Sequence, residues 1–122
     1  MNKVYLLNAA NMPQSGLYIT KEITAEQWKS IFLKANEVVS SVSYKETAEC
    51  VGKHLNIQIP IDTEKRLTKL NEDTCDLLII KLRYRVKSER KGKKLGLHID
   101  DYMFLHSKYY KTVKAYERSN KV

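Results

Sequence analysis

The sequence predicts a single-domain α+β protein, a mostly antiparallel mixed sheet of about five to six strands flanked by two main helices. Three observations carry this. The 122 residues, 43% apolar and 30% charged, suffice for one hydrophobic core and no more. Short stretches of period-two apolar alternation recur between Gly, Pro, Asn and Asp, as strands require. Two helical patterns each open on the spacing of a capping box, Thr24 with Gln27 and Ser43 with Glu46.

Residues 3–8 (KVYLLN) make an opening strand, and 9–16 (AANMPQSG) a polar loop punctuated by Pro13 and Gly16. Over 17–23, apolar Leu17, Ile19 and Ile23 set against Thr20 and Lys21 give a second strand. A helix capped by Thr24 then runs to about Ala35, with Trp28, Ile31 and Phe32 as its buried stripe. Residues 38–42 are a buried strand feeding a second helix over 44–55, with Ser43 at the N-cap, Glu46 at N3, and Ala48, Val51 and Leu55 inward. Residues 57–60 form a brief extended piece that Pro60 ends. Strands over 65–70 and 74–86, joined by the polar turn Asn71, Glu72 and Asp73, are expected to pair antiparallel. A basic loop at 87–97, a last strand over 102–110 and a polar tail from about 111, helical or frayed, complete the chain.

Composition also bounds function. The net charge of +8 and pI near 9.5 favour an anionic partner. No apolar run reaches about 18 residues and the first residues carry no signal-peptide pattern, so the expected place is inside a cell, the host cytoplasm, with no membrane contact. Cys50 and Cys75 fall on apolar patterns and read as reduced core thiols. With His54, His98 and His106 scattered, no metal is expected. The chain lacks GxxxxGK[ST], GxGxxG and GxSxG, so no cofactor and no catalytic residue is assigned; a basic protein without an evident general base reads as a binder.

Two stretches suit an anion. At the start of the second helix, unpaired amides and the dipole's positive end meet the charge of Lys45. On the strand over 74–86, Leu78, Ile80, Leu82, Tyr84 and Val86 take the core face, and Ile79, Lys81, Arg83 and Arg85 the other. That places three cations about 7 Å apart with no acid between them, a self-repulsion that a phosphate relieves, and arginine grips phosphate with a two-pronged fork. Tyr109 and Tyr110 among lysines fit a base-stacking surface, although half-buried strand tyrosines or a subunit contact are the commoner meaning.

Over roughly residues 3–85 the chain resembles the small viral proteins of the type III anti-CRISPR ring-nuclease family. The motifs occur in the family's order. They are the strand YLLNA (5–9), the run SSVSYKETAE (40–49) resembling S-A-I-G-H-x-x-T-A-E, an extended piece ending at Pro60, a turn at Glu72 and Asp73 where the family has Gly-Asp, and a long strand ending in arginine. The resemblance implies a dimer that binds a cyclic oligoadenylate in a basic pocket across its two-fold axis, and cleavage with the motif histidine as general acid. Asn8 matches a ligand-contacting asparagine, Arg83 or Arg85 the strand-end arginine, and Arg66 the arginine after the proline. The expected ligand-binding set is Asn8, Ala9, Asn11, Ser43, Tyr44, Lys45, Thr47, Arg66, Lys81, Arg83 and Arg85.

At the chemical step the sequence departs from that family. Tyr44 stands where it has histidine and Ser43 where it has glycine, no histidine is expected beside them, and Glu89 is the one acid near the strand-end arginine. Tyrosine, with an ordinary pKa of about 10, is a poor proton shuttle at neutral pH. A pocket kept without its acid implies binding without cleavage, which is similar to the phage Thoeris anti-defence proteins that sequester a cyclised ADP-ribose signal. The expected function is therefore a signal sponge, a homodimer or higher homo-oligomer, for cyclised ADP-ribose or a cyclic oligonucleotide. The alternatives are a ring nuclease acting on cyclic tetra-adenylate and a non-specific nucleic-acid binder using the cations of 81–94.

Overall fold

Leu77, Leu78, Ile79 and Ile80 lose essentially all solvent exposure, and the strand that carries them is the middle of the molecule. The structure, a computed structural model, describes residues 3–8, 13–62, 69–83 and 98–120. Within these, β1 (Lys3–Leu7), β2 (Leu17–Ile23), α1 (Ala25–Lys34), β3 (Glu37–Ser40), α2 (Lys45–Leu55), β4 (Thr74–Leu82), β5 (Tyr102–Tyr110) and α3 (Val113–Asn120) follow in order, with a 3-10 turn at Ile99–Asp101 before β5. The sheet is five-stranded and mixed, in the order β2-β5-β4-β1-β3. β1 runs parallel to β3 and β4, while β5 pairs antiparallel with both β2 and β4 over their full lengths.

Helices α1 and α2 cover one face. Trp28 from α1 and Ala48, Val51 and Leu55 from α2 pack on Val4, Leu6, Leu78, Ile80 and Phe104. The other face is a second core of Tyr5, Leu7, Cys75, Leu77, Ile79 and Tyr109, closed by Leu70. Gln14 holds Leu70 there: its amide oxygen accepts from the Leu70 N–H at 2.9 Å, and its nitrogen donates to the Tyr109 hydroxyl at 2.6 Å. The third helix, α3, packs Tyr116 edge-on to Tyr110 and settles the open reading of the tail in favour of a helix.

Several expectations are corrected. Ser43 does not cap α2: the N-cap is Tyr44, with no side-chain hydrogen bond. The preceding segment is tied down in extended form instead, since Ser40 Oγ accepts from the Val42 N–H and the Val42 carbonyl accepts from Asp62 N–H, so the helix begins one residue later than the Ser43/Glu46 spacing implies. No hairpin joins 65–70 to β4 among the described residues: Lys69 and Leu70 are not in a strand, and β4 pairs with β1 and β5. Ile79 is buried in the second core, not on a solvent face with the cations. Tyr109 and Tyr110 are both buried, so neither offers a stacking surface. Cys50 and Cys75 are free, and burial pushes the Cys75 thiol up to about 12. The 87–97 loop, Tyr84 to Val86 of the expected strand, and Glu89 lie outside the described residues.

Candidate functional site

Parallel strands deliver their carboxyl ends to the same edge of the sheet, where loops and helix starts gather above them. Here that edge collects Asn8 after β1, the 41–44 link after β3, and Arg83 after β4. Leu6 lies beside Ser40 in register and the Ser41 N–H donates to the Leu6 carbonyl at 2.8 Å, so Asn8 leaves the sheet beside the 41–44 link. β1 lies between β3 and β4 in the sheet, so the strand that ends at Asn8 runs between the strand that leads to the α2 start and the strand that leads to Arg83.

The start of α2 is the most open part of this edge. Tyr44 is 63% exposed, Ser43 and Lys45 are exposed, and with no side-chain cap the first amides of the helix lack an intrahelical partner. Lys45 meets Glu49, one turn on, at 3.8 Å. Thr47 differs from the expectation of a ligand contact: it is 7% exposed, with the Tyr102 hydroxyl donating to its Oγ1 at 3.5 Å, so it fixes α2 onto β5.

Lys81 and Arg83 are exposed at the end of β4, but the row is not free of acids. Glu22 of β2 reaches across β5 to Arg83 at 3.5 Å. Exposed pairs of this kind are each worth about 0–1 kcal/mol, so Glu22 holds the guanidinium only weakly. Ala9, Asn11, Arg66 and Arg85 lie outside the described residues.

Sequence reasoning missed the fourth contributor to this edge. β5 enters antiparallel to β4, so its amino end and the 3-10 turn stand beside Arg83, whose N–H donates to the Asp101 carbonyl at 2.9 Å. The turn is closed by His98, whose N–H donates to Asp101 Oδ2 at 3.3 Å, and it packs against α2. His98 is therefore an exposed imidazole at the same edge as Tyr44. The signal was the strand direction of 102–110, which neither spacing nor composition reveals.

The model of the STIV B116-like family matches residues 4–98 of this chain. The chain belongs to that family. The match takes in the whole candidate edge, from Asn8 through the α2 start and Arg83 to His98. Among solved structures, B116 of Sulfolobus turreted icosahedral virus shares the family fold at a TM-score of 0.61 and 18% identity, covering 87% of this chain and 98% of that one. A search of curated proteins gave no match. No group of His, Cys, Asp and Glu able to hold a metal occurs among the described residues, and no described helix is long and apolar enough to cross a membrane.

Proposed function

We propose that this protein binds and sequesters a cyclic nucleotide-derived immune signal, cyclised ADP-ribose foremost, at the edge formed by Asn8, the α2 start and Arg83, acting as an anti-defence sponge. The observation that carries the reading is Tyr44, exposed at an uncapped helix start beside Lys45, in the place where the resembled ring nucleases have their histidine. The amides and cations there suit a phosphate; the phenol does not suit proton transfer at neutral pH.

A second reading rests on His98. Its imidazole stands at the same edge and is of the right type for a general acid, which favours a ring nuclease with a relocated acid on cyclic tetra-adenylate. Incubation with each cyclic ligand, then heating and mass spectrometry of what is released, separates the two. The sponge reading expects intact cyclised ADP-ribose and no linear product from cyclic tetra-adenylate. Linear fragments that disappear in His98→Gln overturn it, and binding of random duplex DNA as tight as of either cyclic ligand overturns both.

A further inference from the structure

We propose that Lys21, His106 and Lys108, built around the carboxylate of Asp76, form a phosphate-binding site on the helix-covered face of the sheet. It takes a phosphoryl dianion, free or as the end of a phosphomonoester. The site is independent of the ligand reading above, because Asp76 lies near the start of β4, roughly 20 Å along the strand from Arg83.

Register brings the four residues together. Ile23, Phe104 and Leu78 belong to the first core and mark the helix-covered face. Successive strand residues alternate between faces, so Lys21 before Ile23, His106 and Lys108 after Phe104, and Asp76 before Leu78 all fall on that face. Lys21 is directly opposite His106 in the β2–β5 pairing, and Lys108 is opposite Asp76 in the β5–β4 pairing. Lys21 and Lys108 are then diagonal neighbours, with Cβ atoms about 7 Å apart. Farther along β5, Tyr110 meets Tyr116 of α3, so the cluster lies between the first core and the seat of α3.

The charges of these four residues do not balance. Asp76 is the one acid among them, with Oδ1 bonded to His106 Nε2 at 2.8 Å and Oδ2 accepting from the Lys108 ammonium at 3.3 Å. Lys21 is exposed and forms no ion pair among the described residues, although it stands against an imidazole and diagonal to a second ammonium. Like charges this close on one face are unfavourable, and an arriving anion removes the repulsion. Asp76 also orients the imidazole: an ionised carboxylate only accepts, so Nε2 carries a proton and Nδ1 is left to a ligand. His106 keeps 21% of its side-chain surface and Lys108 40%, so both are reachable from solvent. A phosphoryl group suits this set. Its oxygens accept from both ammonium groups, and its second proton, lost near pH 6, can be shared with Nδ1. Imidazolium facing dianion and imidazole facing monoanion have the same charge and the same proton count. A carboxylate ligand has only two oxygens and no proton to share at neutral pH.

Inorganic phosphate titrated into the full chain at constant ionic strength, with the NMR signals of the histidine rings as the readout, tests the proposal. The His106 signals are those missing from His106→Gln. They are expected to move along a saturable curve in wild type and equally in Arg83→Glu, which separates this site from the candidate edge. Acetate at the same concentrations is expected to move them less. Lys21→Gln and Lys108→Gln are each expected to weaken the fitted affinity about tenfold or more, as loss of a charge-assisted contact does. Lys53→Gln, exposed on α2, is expected to leave it unchanged. A drift without saturation, an equal response to acetate, loss of the response in Arg83→Glu, or undiminished affinity in either of the Lys21 and Lys108 variants overturns the proposal.

Discussion

Tyr44 and Asp76 show how two single side chains are set to different tasks by their surroundings. Tyr44 makes no side-chain capping hydrogen bond at the α2 start and is exposed there. Asp76 is half-buried on β4, bonded through Oδ1 to His106 Nε2 at 2.8 Å and through Oδ2 to the Lys108 ammonium at 3.3 Å. The His106 bond, aided by Lys108 and opposed by burial, holds its carboxyl below the usual range. A carboxyl whose folded pKa lies below its unfolded value of about 3.9 contributes stability at higher pH and loses it as pH falls through the folded value. Thermal melting in acid is therefore expected to fall less steeply in Asp76→Asn than in wild type below about pH 4, with the variant less stable at pH 7. Identical slopes would remove Asp76 from the acid response. None of this was legible beforehand, because β4 and β5 are separated by 19 intervening residues and the pair exists only through their register.

Two helices with the same start signal make the case at the level of the element. Thr24 and Gln27 form the full reciprocal cap, Gln27 N–H to Thr24 Oγ1 at 3.0 Å and Thr24 N–H to Gln27 Oε1 at 2.9 Å. Ser43 and Glu46 have the same spacing and form none, because Ser40 and Asp62 anchor the chain in extended form up to Val42. Removing a working N-cap costs about 1 kcal/mol, within a range of about 0.5–2, and a surface change without such a role stays within about 0.5 kcal/mol. Urea unfolding is thus expected to register Thr24→Ala and leave Ser43→Ala near wild type; equal losses would contradict the assigned caps. Local pattern located β2, α1, β5 and the body of α2, since their periodicity and punctuation are carried by adjacent residues. It expected a hairpin between 65–70 and 74–86 that the described residues do not form, because a polar turn between two apolar runs does not say which strands pair. The α2 exit shows the same dependence: Gly52 is required where the Ile57 carbonyl comes so near that a Cβ would lie 2.7 Å from its oxygen, a contact made by the chain's return and invisible at the glycine itself.

At the scale of the molecule, the sheet order decides what the site can be. Because β1 sits between β3 and β4 with all three parallel, residues separated by up to 75 positions, from Asn8 to Arg83, reach one edge. The α+β class was readable from alternating strand and helix patterns. The second core was not, because burial of both faces of β4 erases the alternation that distinguishes an outer face. On the proposed function, this edge binds a phosphate-bearing cyclic signal through Arg83. Calorimetric titration of cyclised ADP-ribose into wild type and Arg83→Glu tests it most directly. Arg83 lies on the surface, so the variant should keep the wild-type fold by circular dichroism. Losing a charge-assisted phosphate contact of about 1.5–3 kcal/mol weakens affinity by about 10- to 150-fold before the repulsion of the new carboxylate is added. Tight wild-type binding and at least that loss in the folded variant are expected; equal affinity of the two proteins, or no binding by wild type, would contradict the proposed role of Arg83.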